Sequence, residues 1–166
     1  MTSAWKQLQK TFLDDHRTMT RGYRDLLTAI ELRDFAAAAQ LAANLDELAG
    51  PHIEFEEQCL YPEIESIRGE AYASRLYGEH AEILRVLLEL QALTAETPPT
   101  DDDVASWTEG LRHGLEHAAA CGSLLSHLQA QSPEQLERSW ESLKGLRKQR
   151  HRWSELQPST NARKSD

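Results

Sequence analysis

The amino-acid sequence predicts an all-α protein, an up-and-down antiparallel four-helix bundle with one additional helix at the C-terminal end. Glycine and proline are scarce, at eight and six of 166 residues, and they fall at a few points between long segments. Within those segments apolar residues recur at intervals of three and four, as on one face of a helix. No segment shows the period-two alternation of a half-buried strand.

The helix boundaries follow from this periodicity and from local signals at the helix ends. Asp34 is a predicted N-cap, three aspartates at 101–103 favour the positive end of a helix dipole, and Ser132 with Gln135 forms a predicted capping box. Pro51 predicts a kink or a wide turn, because proline cannot donate to the carbonyl one turn earlier. The five predicted helices span residues 3–32, 35–62, 70–94, 101–130 and 133–156, with Leu48, Leu84 and Leu88 among the inward-facing apolar residues.

The predicted organisation is a bundle over residues 1–132, an accessory helix over 133–156 and a flexible tail over 157–166. The net charge of −9 disfavours a nucleic-acid partner. No apolar run reaches the roughly 20 residues that span a bilayer, so no membrane partner is expected. The N-terminus does not resemble a signal peptide, and Cys59 and Cys121 are far apart in the sequence. We therefore expect a cytoplasmic protein with free thiols.

A two-fold repeat marked by histidines runs through the predicted bundle. In both Asp15-His16 and Glu79-His80 an acid precedes a histidine, and apolar residues follow at the same intervals. The next repeat-equivalent histidines, His52 and His117, come 36 and 37 positions later. At about 1.5 Å per helical residue, such an excursion through a short turn returns the chain to its starting height. Four histidines, one from each helix, are therefore predicted to meet inside the bundle.

The residues around these histidines predict a transition-metal site. Glu56 lies four positions after His52, so both side chains leave the same helix face. His113 precedes His117 by the same interval, and Cys121 follows one turn later. Imidazole and carboxylate ligands suit iron, zinc, nickel or copper better than calcium or magnesium. A bound cation also offsets the cost of burying several polar side chains.

Simpler interpretations apply to some of these residues taken singly. A lone histidine such as His113 on an apolar face is more often a hydrogen-bonded core residue, and a buried Cys121 could serve as a small hydrophobe. Glu109, four positions before His113, could instead orient that imidazole. Four further residues are predicted to be solvent-exposed: Glu54, Glu57, His127 and His151.

The segment from His52 to Pro62 resembles the His-x-x-x-Glu-Glu-x-x-Leu-Phe/Tyr-Pro signature of hemerythrin-like, or HHE cation-binding, domains. Asp15-His16 and Glu79-His80 are similar to the single histidines on the family's first and third helices. The likeness covers about residues 10–130 and implies a four-helix bundle holding a non-haem di-iron centre. By position, it implies that the iron ligands are His16, His52, Glu56, His80 and His117, with Glu56 bridging.

Two departures from the family pattern leave the metal count open. The family usually has a second bridging carboxylate four or five residues after the fourth-helix histidine. If His117 is that histidine, Cys121 takes the position; if His113 is, His117 takes it. Leu76 stands where many oxygen-binding members have a further histidine. Because two nearby cations need anionic bridges, a di-iron, a mononuclear, an asymmetric and a thiolate-containing site all remain candidates.

Three functions are consistent with these patterns. The first is a module that binds O₂ or NO for sensing, storage or stress response, rather than an enzyme. The second is a di-iron protein that repairs iron–sulfur clusters, and the third is an interaction module with a mononuclear or zinc-filled site. A ferritin-like oxidase is disfavoured, because the chain has no Glu-x-x-His motif. Residues 133–166 carry a net charge of +3, so the last helix is predicted to clamp the acidic bundle, form a homodimer through Trp140 and Leu143, or bind a partner protein.

Overall fold

The computed structural model describes residues 3–94 and 96–156, so the predicted tail lies outside the described residues. Within these ranges every regular element is helical, which confirms the all-α class. None of these helices has both the length and the apolar character needed to cross a membrane. The elements are α1 (Ser3–Glu31), α2 (Phe35–Phe55), a π-helical segment (Glu56–Leu60), α3 (Tyr61–Arg68), α4 (Glu70–Gln91), α5 (Asp101–Cys121), a 3₁₀ helix (Leu124–Ala130), α6 (Pro133–Gln149) and a 3₁₀ turn (Trp153–Glu155).

The predicted helix starts are confirmed by their hydrogen bonds. The Asp34 carboxylate accepts a 3.0 Å bond from a backbone N–H in the first turn of α2. Thr100 and Asp103 form a reciprocal capping box at the start of α5, and Ser132 and Gln135 form another at the start of α6. These side chains satisfy backbone donors that have no partner within the helix.

Several predicted helix ends were wrong. The second predicted helix continues past Pro62, through the π-helical segment and α3, to Gly69, whose φ of 88° ends it. Pro51 lies inside α2, so of the kink or wide turn predicted there, the wide turn does not occur. The fourth predicted helix stops at Cys121, because the backbone switches to tighter i→i−3 bonding at Ser123. The last one stops at Gln149, because Arg150 adopts a left-handed φ of 57°.

Four long helices pack in a ring, with α1 against α2, α2 against α4, α4 against α5 and α5 against α1. Two of the side chains predicted to face inward do not: Leu48 is 63% exposed and Leu88 is 43% exposed, and Leu84 is only partly buried. The buried residues instead form two separate apolar clusters, one around Leu26, Ile83 and Trp107 and the other around Phe12, Tyr61 and Leu124.

The repeat histidines lie between these two clusters. Along α1, Phe12 belongs to one cluster and Met19 to the other, with His16 between them. Along α4, Tyr77 and Ile83 flank His80 in the same way. The bundle therefore has a polar layer enclosed above and below by apolar side chains.

The C-terminal helix packs back onto the bundle, against α1 and α2. Its apolar face is buried there through Leu136, Leu143 and Leu146. Arg147 donates to both carboxylate oxygens of Asp15 at 2.8 Å. Of the three arrangements predicted for the last helix, the structure therefore contains the one in which this helix packs across its own bundle.

One face of α2 contacts the residues that follow α6. Asp46 accepts 2.7 Å hydrogen bonds from both the backbone N–H and the hydroxyl of Ser154. One turn later, the backbone of residues 151–152 lies directly against Gly50, with no room for a Cβ there. A further turn along, Glu54 accepts a 3.1 Å bond from Nδ1 of His151. A glycine at position 50 is therefore required by this close approach.

Candidate metal centre

Glu56 is the point at which the polar layer converges. Its Oε1 lies 3.8 Å from Nε2 of His16 and 3.5 Å from Nε2 of His52, and its Oε2 lies 3.2 Å from Nε2 of His80. His117 joins it in a second compact group, so that the possible ligand atoms of Glu56, His80 and His117 lie within 4.8 Å of one another. All five side chains are buried, with exposed fractions between 1% and 8%.

The π-helical segment places two functional side chains one above the other. Because its hydrogen bonds span five residues, the Tyr61 N–H bonds to the carbonyl of Glu56. Residues five apart are thereby brought onto the same face, which an ordinary α-helix does not do. As a result, the Tyr61 hydroxyl lies 2.9 Å from Nε2 of His80 and 3.3 Å from Nε2 of His117.

Cys121 contacts the same carboxylate. Its Sγ donates a 2.7 Å hydrogen bond to Oε1 of Glu56 and lies 3.8 Å from the Tyr61 hydroxyl. His16, Glu56 and Cys121 form a compact group of buried ligand atoms, as the His80 group does. The two groups share Glu56, so the layer offers two adjacent sets of donors.

Each histidine is held by its outer nitrogen. Nδ1 of His16 donates to the carbonyl oxygen of Phe12 at 3.0 Å. The other three bond through Nδ1 to a carboxylate, His52 to Asp15 at 3.4 Å, His80 to Glu57 at 2.9 Å and His117 to Glu79 at 2.7 Å. Such bonds fix the ring orientation and leave Nε2 as the inward ligand atom.

The acidic residue of each repeat forms a hydrogen bond with the histidine of the neighbouring helix. Asp15, beside His16 on α1, binds His52 on α2. Glu79, beside His80 on α4, binds His117 on α5. The acid–histidine pair therefore supplies one inward ligand and one support for the next ligand, once in each half of the bundle.

The charges of the layer are strongly coupled. Burial alone lowers the pKa of His52, but Glu56 and Asp15 overcome this effect and raise it to about 9. Burial likewise lowers the pKa of His80, and Glu56 with Glu57 raises it to about 9. Burial raises the pKa of Glu56, but the histidines outweigh it and hold that pKa well below its usual range. Burial lowers the pKa of His16. Glu56 is therefore an anion surrounded by imidazole rings.

Two buried atoms at the centre have no hydrogen-bond partner, Nε2 of His52 and Oε2 of Glu56. Both belong to side chains that are 1% exposed, where an unmade bond is costly. Both also point toward the other donor atoms. A cation bound among the Nε2 atoms and the Glu56 oxygens would satisfy them, so the residues present fit a transition-metal ion.

His113 and Glu109 lie outside this cluster. Both are exposed, and Nδ1 of His113 bonds to Glu82 on α4 at 3.3 Å. His113 is therefore not positioned as a ligand, and Glu109 is not positioned to orient one. Of the two histidines that could complete the site, α5 turns His117 inward and leaves His113 outside.

The predicted solvent exposure fails for two of the four residues, Glu54 and Glu57. The side chain of His151 is 47% exposed, although it contacts Glu54. His127 is only partly exposed. Glu54 is buried beneath the C-terminal segment, and Glu57 is 15% exposed because it packs against His80.

The sequence pattern indicated no role for Tyr61, Glu57 or the two acids that precede histidines. A signal existed for the acids, since the repeat places them identically in both halves. Glu57 and Tyr61 stand within the signature segment, one and five positions after Glu56. Their roles depend on the π-helical segment, which the sequence pattern did not indicate.

The fold and the site together define a helical bundle with a buried histidine–carboxylate centre suited to a metal ion. A family model, the hemerythrin HHE cation binding domain, matches residues 7–130. The chain belongs to this family, and it is a hemerythrin-like cation-binding domain protein.

Among curated proteins, the chain is similar to a DNA nickase from Nostoc sp. (strain PCC 7120), with 27% identity over 101 residues. The match covers 60% of this chain and 29% of the nickase, so the chain spans less than a third of that relative. No solved structure matches the chain.

Proposed function

We propose that the protein holds a non-haem iron centre, with two ions, that binds O₂ or NO reversibly for sensing, storage or stress response. The observation that carries the proposal is that three imidazole nitrogens lie within 3.8 Å of one buried carboxylate and a fourth, from His117, joins its ligand group, with Nε2 of His52 and Oε2 of Glu56 left unpartnered. The proposed ligands are His16, His52, Glu56, His80 and His117, with Glu56 shared between the ions. An up-and-down course of α1, α2, α4 and α5 is part of the proposal.

When bound, iron at this position would supply an open coordination site and a change of oxidation state. The protein supplies a dry environment, because the two apolar clusters enclose the layer. Water exclusion and the buried carboxylate favour a stable complex with a small neutral ligand over hydrolysis or proton leakage.

Tyr61 is placed to contact the small ligand. Without a metal its hydroxyl lies within hydrogen-bond distance of Nε2 of both His80 and His117. A metal ion bound through Nε2 of either ring would leave that nitrogen unable to bond to the hydroxyl. The hydroxyl would then donate to a ligand held beside the ions.

A surface cleft between α1 and α5 reaches one of the proposed ligands, His16. It has a volume of about 580 Å³, and His16 is part of its lining together with Leu13, Ala118 and Gly122. A diatomic molecule needs only a small fraction of this space. The cleft is therefore large enough to admit a diatomic ligand as far as His16.

Two alternatives share the same residues. A mononuclear or zinc-filled centre would make the protein an interaction module, and a role in iron–sulfur repair would make it an enzyme. DNA cleavage, the activity in the nickase's name, has little support here, because 29% of that protein is matched and this chain carries a net charge of −9.

The test is iron loading under anaerobic conditions followed by exposure to air or NO. We expect about two iron ions per chain by elemental analysis and a visible charge-transfer band that appears with the gas and reverses when the gas is removed. One ion, or zinc in place of iron, would favour the mononuclear or interaction alternative. An iron-loaded form that is colourless and indifferent to both gases would overturn the proposal.

A matched pair of variants locates the site. His80→Gln removes an inward ligand, whereas His113→Gln removes an exposed histidine one turn from His117. We expect His80→Gln to lose metal and the gas-dependent band, and His113→Gln to keep both. Equal losses in the two variants would contradict the proposed ligand set.

A further inference from the structure

Cys121 is a buried thiol whose position the proposed iron ligand set does not use. Its side chain is 1% exposed, on the last residue of α5. The Sγ atom lies 2.7 Å from Oε1 of Glu56, closer than any of the histidine nitrogens that contact this carboxylate. The thiol therefore lies within the donor layer.

The layer is short of negative charge for two cations. Of the carboxylates in residues 3–94 and 96–156, Glu56 alone belongs to the two compact ligand groups. Asp15, Glu57 and Glu79 are engaged with the outer nitrogens of the histidines. Neutral imidazoles add no charge, so two divalent ions would share a single carboxylate. Two cations bound to groups that share one carboxylate would repel strongly unless further anions lay between them.

One of the two unpartnered atoms, Nε2 of His52, lies near the carboxylate oxygen that Cys121 contacts. Nε2 of His52 has no hydrogen-bond partner and lies 3.5 Å from the same Oε1 that accepts the thiol proton. His52 is 1% exposed, so its unpartnered nitrogen is a donor atom that a bound ion at this position would satisfy. His16, whose Nε2 lies 3.8 Å from Oε1, forms a compact ligand group with Glu56 and Cys121.

We propose that Cys121 binds a metal ion as a thiolate on the His16 side of the centre. This inference rests on the proposed function, since it assumes that the layer binds metal. The centre then consists of two unequal halves, one with a sulfur ligand and one with only nitrogen and oxygen ligands from His80, His117 and Glu56. A soft sulfur donor favours zinc, iron or cobalt in that half over hard cations.

The binding step is a proton exchange without electron transfer. In the metal-free protein the S–H proton bonds to Oε1 of Glu56. On metal binding, Cys121 would lose its S–H proton to solvent and bind the divalent ion through the sulfur. The same step frees Oε1 to bind the ion. Burial and the Glu56 carboxylate raise the pKa of the thiol, so without metal it stays protonated and unreactive.

The test uses the full-length chain loaded with Zn²⁺ for X-ray absorption and with Co²⁺ for optical spectroscopy. In the wild type we expect a sulfur neighbour at about 2.3 Å from zinc, beside nitrogen and oxygen neighbours at about 2.0–2.1 Å. We also expect a thiolate-to-cobalt charge-transfer band in the near ultraviolet. Neither readout depends on gas binding.

The sequence contains a matched control, because Cys59 is the only other cysteine and is partly exposed. Cys59→Ser is expected to keep the sulfur neighbour and the cobalt band. Cys121→Ser, which can still donate to Glu56, is expected to lose both and to bind Zn²⁺ at least about tenfold more weakly. If Cys121→Ser fails to fold, the signals of the wild type and of Cys59→Ser decide the question.

The outcomes separate the two proposals. If the wild type binds none of the ions tested, the proposed function fails. If it binds Zn²⁺ and Co²⁺ through nitrogen and oxygen alone, with Cys121→Ser unchanged, the metal centre stands and the thiolate ligand is refuted.

Discussion

Replacing Gly50 by alanine is expected to detach the C-terminal segment from α2. A Cβ at position 50 would overlap the carbonyl oxygen of His151 and lie 2.8 Å from the carbonyl carbon of Arg152. These are backbone atoms, so no rotamer change relieves the overlap. The 3₁₀ turn that carries Trp153 must therefore move away from the bundle.

The magnitude follows from what that turn buries. Trp153 is 2% exposed, and loss of a buried tryptophan side chain costs about 3–5 kcal/mol. The two Ser154 bonds to Asp46 are lost as well, although water replaces part of their strength. Alanine regains up to about 1 kcal/mol of helix propensity. We expect Gly50→Ala to lower the free energy of unfolding by about 3–5 kcal/mol, since detachment limits the strain.

Urea denaturation and tryptic cleavage after Arg150 and Arg152 measure the effect. Gly78→Ala is the matched control, because Gly78 lies in α4 and a Cβ added there would meet no atom of a neighbouring element within 4 Å. That variant is expected to gain about 0.5–1 kcal/mol from the same chemical change. If Gly50→Ala unfolds within about 1 kcal/mol of the wild type and resists trypsin equally, the C-terminal segment does not pack on α2 as described.

Four further outcomes are expected. The pKa values of His52 and His80 are about 9 in the folded protein and about 6.5 in the unfolded chain. The metal-free protein should therefore lose stability as the pH rises from about 6.5 to 9. Urea titrations in the presence of a chelator that show no such loss would contradict this. Zn²⁺ binding at pH 7.5 should release protons, because the ion displaces those held on the same two imidazoles; calorimetric heats that do not vary with buffer ionisation enthalpy would refute it. Arg147→Met should weaken Zn²⁺ binding by about tenfold through the carboxylate that holds His52, whereas Lys144→Met, on the same helix, should leave the affinity unchanged. Tyr61→Phe should keep the metal but release NO faster in stopped-flow measurements, and an unchanged rate would remove the hydroxyl from the ligand pocket.

The sequence repeat predicted the centre because helix geometry is regular. Excursions of 36 and 37 residues returned His52 and His117 to the height of His16 and His80. The same regularity separates His117 from His113. The buried stripe of α5 runs through residues 107, 110, 111, 114, 117, 118 and 121 at intervals of three and four, and 113 falls off it. Spacing to a single histidine does not distinguish the two positions, whereas the whole stripe does.

The π-helical segment could not be predicted from the pattern. Apolar periodicity identifies which face of a helix is buried. The single turn of i→i−5 hydrogen bonds rotates the buried face only for the residues that follow Glu56, so it leaves no periodic signal. This rotation is what brings Tyr61 into the layer with Glu56 and aligns Glu57 with His80. The helix ends at Cys121 and Gln149 were missed for a related reason, because both depend on the backbone conformation of the residues that follow. At the second end, the left-handed residue is Arg150, and no glycine or proline marks the stop there.

The family model ends at residue 130, yet the surroundings of the centre extend beyond it. Arg147 holds Asp15, which holds His52, and the Trp153 ring packs edge-on to His80 with centroids 5.6 Å apart. One contact reaches a ligand of each half of the centre. If His52 and His80 bind an ion as proposed, metal binding and docking of residues 133–156 should stabilise each other, since the ion would also fix the groups on which the C-terminal segment rests. The reciprocal effect follows by the same linkage: a change that loosens this segment weakens the metal centre without touching any ligand.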